Sequence, residues 1–155
     1  MHLAYDLGPS RAFYWGPLII GVFDTMIDGP GIQKFRELHR VLLPVVGRFS
    51  TINFVAGELE MRVDAEVRRV GAEMTREFQP TAVAGATVLR SGGIKAAFAR
   101  SVITGMHLLG RSTTPHRVFA TVADALDWIL AVEGQEARII SEGEAIKAAV
   151  MAKRW

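Results

Sequence analysis

The chain of 155 residues contains no cysteine. That removes disulfides, thiolate zinc sites, iron–sulfur clusters and cysteine nucleophiles together. An excess of one charge is also missing: 18 Lys and Arg stand against 16 Asp and Glu, a net of +2. A nucleic-acid-binding surface shows a clustered basic stripe, whereas here Arg and Glu interleave, so no nucleic-acid partner is expected. A long hydrophobic run is lacking too. The longest, Ala12 to Phe23, is interrupted by Gly16 and Pro17, and about 20 apolar residues are needed to cross a bilayer. No stable membrane insertion is expected. The first residues carry His2 and Asp6 and no basic stretch leading into an apolar one, so no signal peptide is read. The expected location is the cytoplasm.

What remains is the composition of a packed globule, half hydrophobic and 22% charged. A chain of this length fits one domain and buries enough surface to need no metal or disulfide staple. We expect residues 1–133 to form an α/β domain and residues 134–155 a C-terminal helical appendage.

The periodicity predicts the elements. Arg11 to Trp15 and Leu18 to Phe23 are aromatic and β-branched, with Gly16-Pro17 between them, and read as a hairpin. Asp28-Gly29-Pro30-Gly31 opens a helix carrying Phe35, Leu38, Leu42, Val45 and Phe49 at helical spacing. Pro44 should kink that helix or end it near Leu43. Thr51 to Ala56 reads as a buried strand. Leu59 to Phe78 shows a stripe of Leu59, Val63, Val67, Val70, Met74 and Phe78. Its other faces carry Glu58/Arg62, Asp64/Arg68 and Arg69/Glu73 at four-residue spacing. Thr81 to Leu89 lacks clean alternation, as a strand buried on both faces does. A helix from Ile94 to Leu109, a strand at Arg117 to Ala120 and a helix capped by Thr121 follow. The segment from Ala137 repeats Ile139, Gly143, Ile146 and Val150 at helical spacing, as a docked helix or a mobile tail. Helix crossovers between strands demand a mainly parallel sheet, and the initial hairpin makes it mixed.

This order resembles the STAS fold, and in particular the SpoIIAA-like group that includes bacterial anti-sigma-factor antagonists. The likeness spans roughly residues 11–132. It is carried by the apolar strand Ala82-Val83-Ala84-Gly85-Ala86-Thr87-Val88, by His116-Arg117-Val118-Phe119, and by Ala123-Asp124-Ala125-Leu126-Asp127-Trp128-Ile129. The resemblance implies a protein partner. Such antagonists carry an Asp-Ser-Ser-Gly type motif whose Ser is phosphorylated. The corresponding stretch here, Val55-Ala56-Gly57-Glu58-Leu59-Glu60, has neither Ser nor Thr, so that switch is not expected.

Candidate sites are few. Arg90-Ser91-Gly92-Gly93-Ile94-Lys95 follows a strand and opens a helix. Its backbone N–H groups, with Arg90, Ser91, Gly92, Gly93 and Lys95, could receive an anion or ligand; an ordinary strand-to-helix turn is the plainer reading. Phe13, Tyr14 and Trp15 could form an interaction surface, and an edge strand there could self-associate into a homo-oligomer. His2, His39, His107 and His116 show no metal-ligand spacing, so no metal and no cofactor is expected. Ser101, Thr104 and His107 share a helix face without an orienting third group. Asp24 and Asp28 beside Gly and Pro read as turn formers. No GxSxG is present. The chain is therefore expected to be a non-enzymatic regulatory or scaffold module acting through protein–protein interaction. The alternative is a small-ligand or lipid-binding domain with a concave cavity between helices and sheet.

Overall fold

The computed structural model describes residues 1–8, 10–24, 28–55, 65–89, 101, 104–105 and 108–153. Among them six strands form one sheet in sequence order: β1 (His2–Asp6), β2 (Ser10–Trp15), β3 (Leu18–Phe23), β4 (Phe49–Val55), β5 (Ala82–Leu89) and β6 (His116–Phe119). The first three are antiparallel, and β3 to β6 run parallel. This is the mixed, mainly parallel α/β sheet that the alternating strand–helix order implies.

Each parallel crossover steps the same way across the sheet. Right-handed crossovers then place the intervening helices on one face. That face carries α1 (Gly29–Val46) and α2 (Ala65–Phe78). Ser101, Thr104, Gly105 and Leu108 to Gly110 are helical as well, and Gly110 lies against Thr75 and Ala72 of α2. The opposite face carries α3 (Val122–Ala131), α4 (Ala137–Ser141) and α5 (Gly143–Met151). Sheet residues alternate accordingly. Leu18, Ile20, Val22, Ile52, Phe54, Ala86 and Val88 pack under α3 to α5 with Leu126, Ile129, Ile139, Ile146 and Val150. Ile19, Phe23 and Phe49 pack under α1 and α2 with Phe35 and Phe78.

Local chemistry explains the element ends. The Asp28 side chain accepts from the Gly31 N–H at 2.8 Å and caps α1, with Pro30 in its first turn. Pro44 does not end this helix at Leu43; α1 runs to Val46. The carbonyl that Pro44 leaves unbonded belongs to Arg40, and both residues are on the exposed side, where water serves it. Gly47, at φ 73°, closes the helix by donating to the Leu43 carbonyl at 2.8 Å. In the β2–β3 turn Gly16 has φ 52°, at the position where a type II′ turn places its glycine. Thr121 caps α3 by accepting from the Asp124 N–H at 3.1 Å. Asp124 is too short to reach back to the cap backbone as a Glu would, and instead accepts from the Thr121 hydroxyl at 2.6 Å. The Arg69–Glu73 pair forms at 2.6 Å; the pairs built on Glu58 and Asp64 lie outside the described residues.

Two features differ from the sequence expectation. Strand β1 has no counterpart in it. Four of its five residues are exposed and only Tyr5 is partly buried, so no apolar pattern marks it. It pairs with β2 through Leu3↔Phe13 and Asp6↔Arg11, and β2 is therefore an interior strand rather than the expected edge. The second concerns the C-terminal segment, which docks, one of the two outcomes expected of it, but not as a single helix. Ile139, Ile146 and Val150 are fully buried in the main core, and the single helical stripe is divided into α4 and α5 around Glu142.

Candidate functional site

Polar residues on the α1/α2 face of the sheet converge in two cross-strand rows. One row reads Ile19, Thr51, Gly85, His116 and the next Gly21, Asn53, Thr87, Val118. The two glycines make these rows possible. A Cβ on Gly21 would meet Asn53 Oδ1 at 2.6 Å, and one on Gly85 would meet His116 Cδ2 at 2.7 Å. Each polar side chain thus lies flat over a glycine of the neighbouring strand. Glycine in a strand interior weakens it and marks a close approach of this kind.

Above this floor lies a cavity of about 180 Å³. Its roof is Ile32, Phe35 and His39 of α1 with Met74, Thr75 and Phe78 of α2. Ser112, Thr114 and Gln79 stand at one end. The roof helices are clamped by Arg36, which bonds Glu73 at 2.9 Å and Glu77 at 2.7 Å. These ion pairs hold Glu73 and Glu77 below the usual carboxylate range: hydrogen bonds from Arg69 to Glu73 and from Arg40 to Glu77 lead, with Arg36 adding to both.

The polar groups around the cavity have distinct states. Thr87 Oγ1 and His116 Nε2 share a hydrogen bond at 3.2 Å. His39 is 2% exposed and sits among three rings, with centroids 4.5 Å from Phe35, 4.9 Å from Phe49 and 5.0 Å from Phe78. Burial pushes its pKa down to about 4, against the opposing pull of the Phe35 carbonyl and the Glu77 charge. The ring is therefore neutral at pH 7. Its Nδ1 donates to the Phe35 carbonyl at 2.7 Å, which leaves Nε2 as an acceptor. Asn53 Oδ1 is buried and has no hydrogen-bond partner among the described residues.

The expected sites fare differently. Arg90, Ser91, Gly92, Gly93 and Lys95 lie outside the described residues, as does His107. Phe13, Tyr14 and Trp15 do not make one free patch. Phe13 is 7% exposed and joins the main core, under the Lys153 ammonium at 4.5 Å. The Tyr14 ring stacks on His2, and Trp15 Nε1 donates to Glu142. Strand β1 and the C-terminal helices, neither anchored to these rings by any sequence signal, cover them. Asp28 is the α1 cap, and Asp24 pairs with Arg11 at 2.8 Å, both structural roles. Among the described residues no three His, Asp or Glu gather as metal ligands.

Sequence reasoning passed over Thr51, Asn53, Thr87 and His39. A signal existed for the first three. Thr51 and Asn53 alternate in an otherwise apolar strand, as do Gly85 and Thr87, and period two assigns each pair to one face. His39 was weighed only as a metal ligand.

Comparison with known proteins places the architecture. No family model matches the chain, and no curated protein sequence does. Among solved structures it is similar to an uncharacterised protein of the DUF3478 family, with a SpoIIAA-like fold, from Shewanella loihica PV-4. The superposition has a TM-score of 0.54 at 12% identity and covers 82% of this chain and 93% of that one. No helix among the described residues is long and apolar enough to cross a membrane. The sheet order, the helix layers and this likeness together give the chain a SpoIIAA-like α/β fold.

Proposed function

We propose that this protein is a non-enzymatic, cytoplasmic binding module that holds a small, mainly apolar ligand between the sheet and helices α1 and α2. The observation that carries this reading is the cavity of about 180 Å³, apolar in most of its wall, with a polar floor of Thr51, Asn53, Thr87 and His116. Ligand sites commonly have this form, an apolar wall with a few placed polar groups. Filling that space with ordinary core side chains would stabilise the fold. Two strand glycines and an unpartnered buried amide oxygen instead weaken it, and a bound ligand accounts for both.

Native mass spectrometry of gently purified full-length chain tests the reading. The expected result is an added small-molecule mass that disappears on denaturation and is absent in Met74→Trp, whose larger side chain fills the roof. A clean chain mass, with no added mass after exposure to small aromatic compounds, counts against it.

A second reading, a regulatory module that contacts a protein partner, is supported by α1. Val41 is 70% and Val45 82% exposed, four residues apart on one helix face. Under that reading Val41→Asp with Val45→Asp abolishes partner capture and leaves ligand uptake unchanged.

A further inference from the structure

We infer that the cavity takes a compact, uncharged ring molecule with a hydrogen-bonding head such as a hydroxyl, and that Asn53 recognises that head. The inference rests on the ligand-binding reading above and adds the chemistry of the ligand.

Size comes first. A cavity of about 180 Å³ is slightly larger than an engineered apolar cavity of about 150 Å³ that holds benzene. One ring with a small substituent fits. Shape follows from the wall, which includes the rings of Phe35, Phe49, Phe78 and His39. Aromatic partners favour offset and edge-to-face contact with a planar guest.

The described lining favours a neutral guest. The described residues around the cavity include no Asp, Glu, Lys or Arg. An ionised ligand would lose its hydration there with no counter-charge in return. A neutral ligand suffers no such loss.

The head is assigned by what is unpaired. Three buried side-chain atoms lack a partner among the described residues: Ser10 Oγ, Arg11 Nε and Asn53 Oδ1. Of these residues only Asn53 lines the cavity. Thr87 is already engaged with His116; His39 Nδ1 serves Phe35, and the Nε2 left on that ring can only accept. Half a turn of the Asn53 carboxamide exchanges its oxygen and nitrogen, so the side chain can accept from or donate to a guest. A hydroxyl does both and suits either orientation.

The test uses three probes of matched shape, phenol, toluene and benzoate, titrated into the full-length chain and into Asn53→Leu by calorimetry. Leucine keeps the volume and removes the hydrogen bond. Phenol is expected to bind the native chain. Asn53→Leu is expected to weaken phenol about tenfold, the worth of one buried hydrogen bond, while toluene binds as well or better. Amide NMR of the native chain supplies a readout that does not need the variant to fold: the Asn53 side-chain resonances should shift with phenol and stay with toluene. Equal losses for phenol and toluene in Asn53→Leu, an unmoved Asn53 amide under phenol, or benzoate binding more tightly than phenol would each overturn the assignment. Toluene binding without phenol overturns it while leaving the cavity reading in place. If none of the three binds, the cavity reading falls with it.

Discussion

One strand, β4, shows both faces of the molecule side by side. Toward α3 to α5 it presents Ser50, Ile52 and Phe54, and toward α1 and α2 it presents Phe49, Thr51, Asn53 and Val55. Each face contains a buried polar group, treated in opposite ways. Ser50 donates to Gln135 Oε1 at 3.0 Å, and Gln135 Nε2 donates to the Ile129 carbonyl at 2.7 Å. Gln135 Oε1 also accepts from the Glu136 N–H at 3.0 Å. That network ties the start of the C-terminal segment to the centre of the sheet. Across the same strand Asn53 Oδ1 has no hydrogen-bond partner among the described residues. A face built for stability satisfies its polar groups and closes around aliphatic side chains. The other face leaves space and an unpartnered oxygen among the described residues, the difference expected between a core and the proposed binding surface.

The contrast can be broken at several points. The largest effect is expected from Ile146→Ala, which empties a fully buried site at the C-terminal end of the core. Urea denaturation should show a loss of about 2–5 kcal/mol. A loss below about 0.5 kcal/mol, the range of ordinary surface changes, would mean that α5 is no part of the stable core.

His39 should make stability depend on pH. Its folded pKa lies near 4, below the ordinary 6.5. Between those values the unfolded chain binds a proton that the folded chain refuses. Stability is therefore full above pH 6.5 and falls as pH drops toward 4, by at most about 3 kcal/mol. Denaturation curves from pH 7 to 4 should show that slope, and His39→Phe should flatten it. An unchanged slope in the variant would assign the effect to other groups.

Gln135→Ala should cost about 1–3 kcal/mol, because Ser50 Oγ and the Ile129 carbonyl lose their partner while remaining buried. Asn53→Leu is the smallest change and has the opposite sign. Removing an unpartnered buried oxygen at nearly constant volume should leave the ligand-free chain unchanged or raise its stability by about 1 kcal/mol. Should Asn53→Leu destabilise as much as Gln135→Ala, the two faces would not differ in kind.

Much of the architecture was legible before any coordinates. Helix α1 is announced by Asp28 and Pro30, α3 by Thr121, and the buried strands β3 and β5 by largely apolar runs. The likeness to SpoIIAA-like proteins rested on such local patterns and holds for the fold. Strand β1 escaped because an exposed edge strand needs no apolar alternation to pair; its backbone hydrogen bonds suffice. The site escaped for another reason. Thr51, Asn53, Thr87 and His116 come from three strands, and His39 from a helix. In the sequence each looks like an isolated polar residue.

The amino-acid order by itself determined the local elements and the alternation that gives each strand two faces, because caps, breakers and periodicity act within a few residues. It also determined what is absent, cysteine chemistry and a long apolar span. Tertiary structure alone decided the rest: that β1 shields β2, that the C-terminal segment docks, and that Asn53 and His116 lie over Gly21 and Gly85 beneath a ring of aromatic side chains. Those outcomes depend on strand register and on helix packing between segments distant in the chain, and no local pattern encodes which partner each will meet.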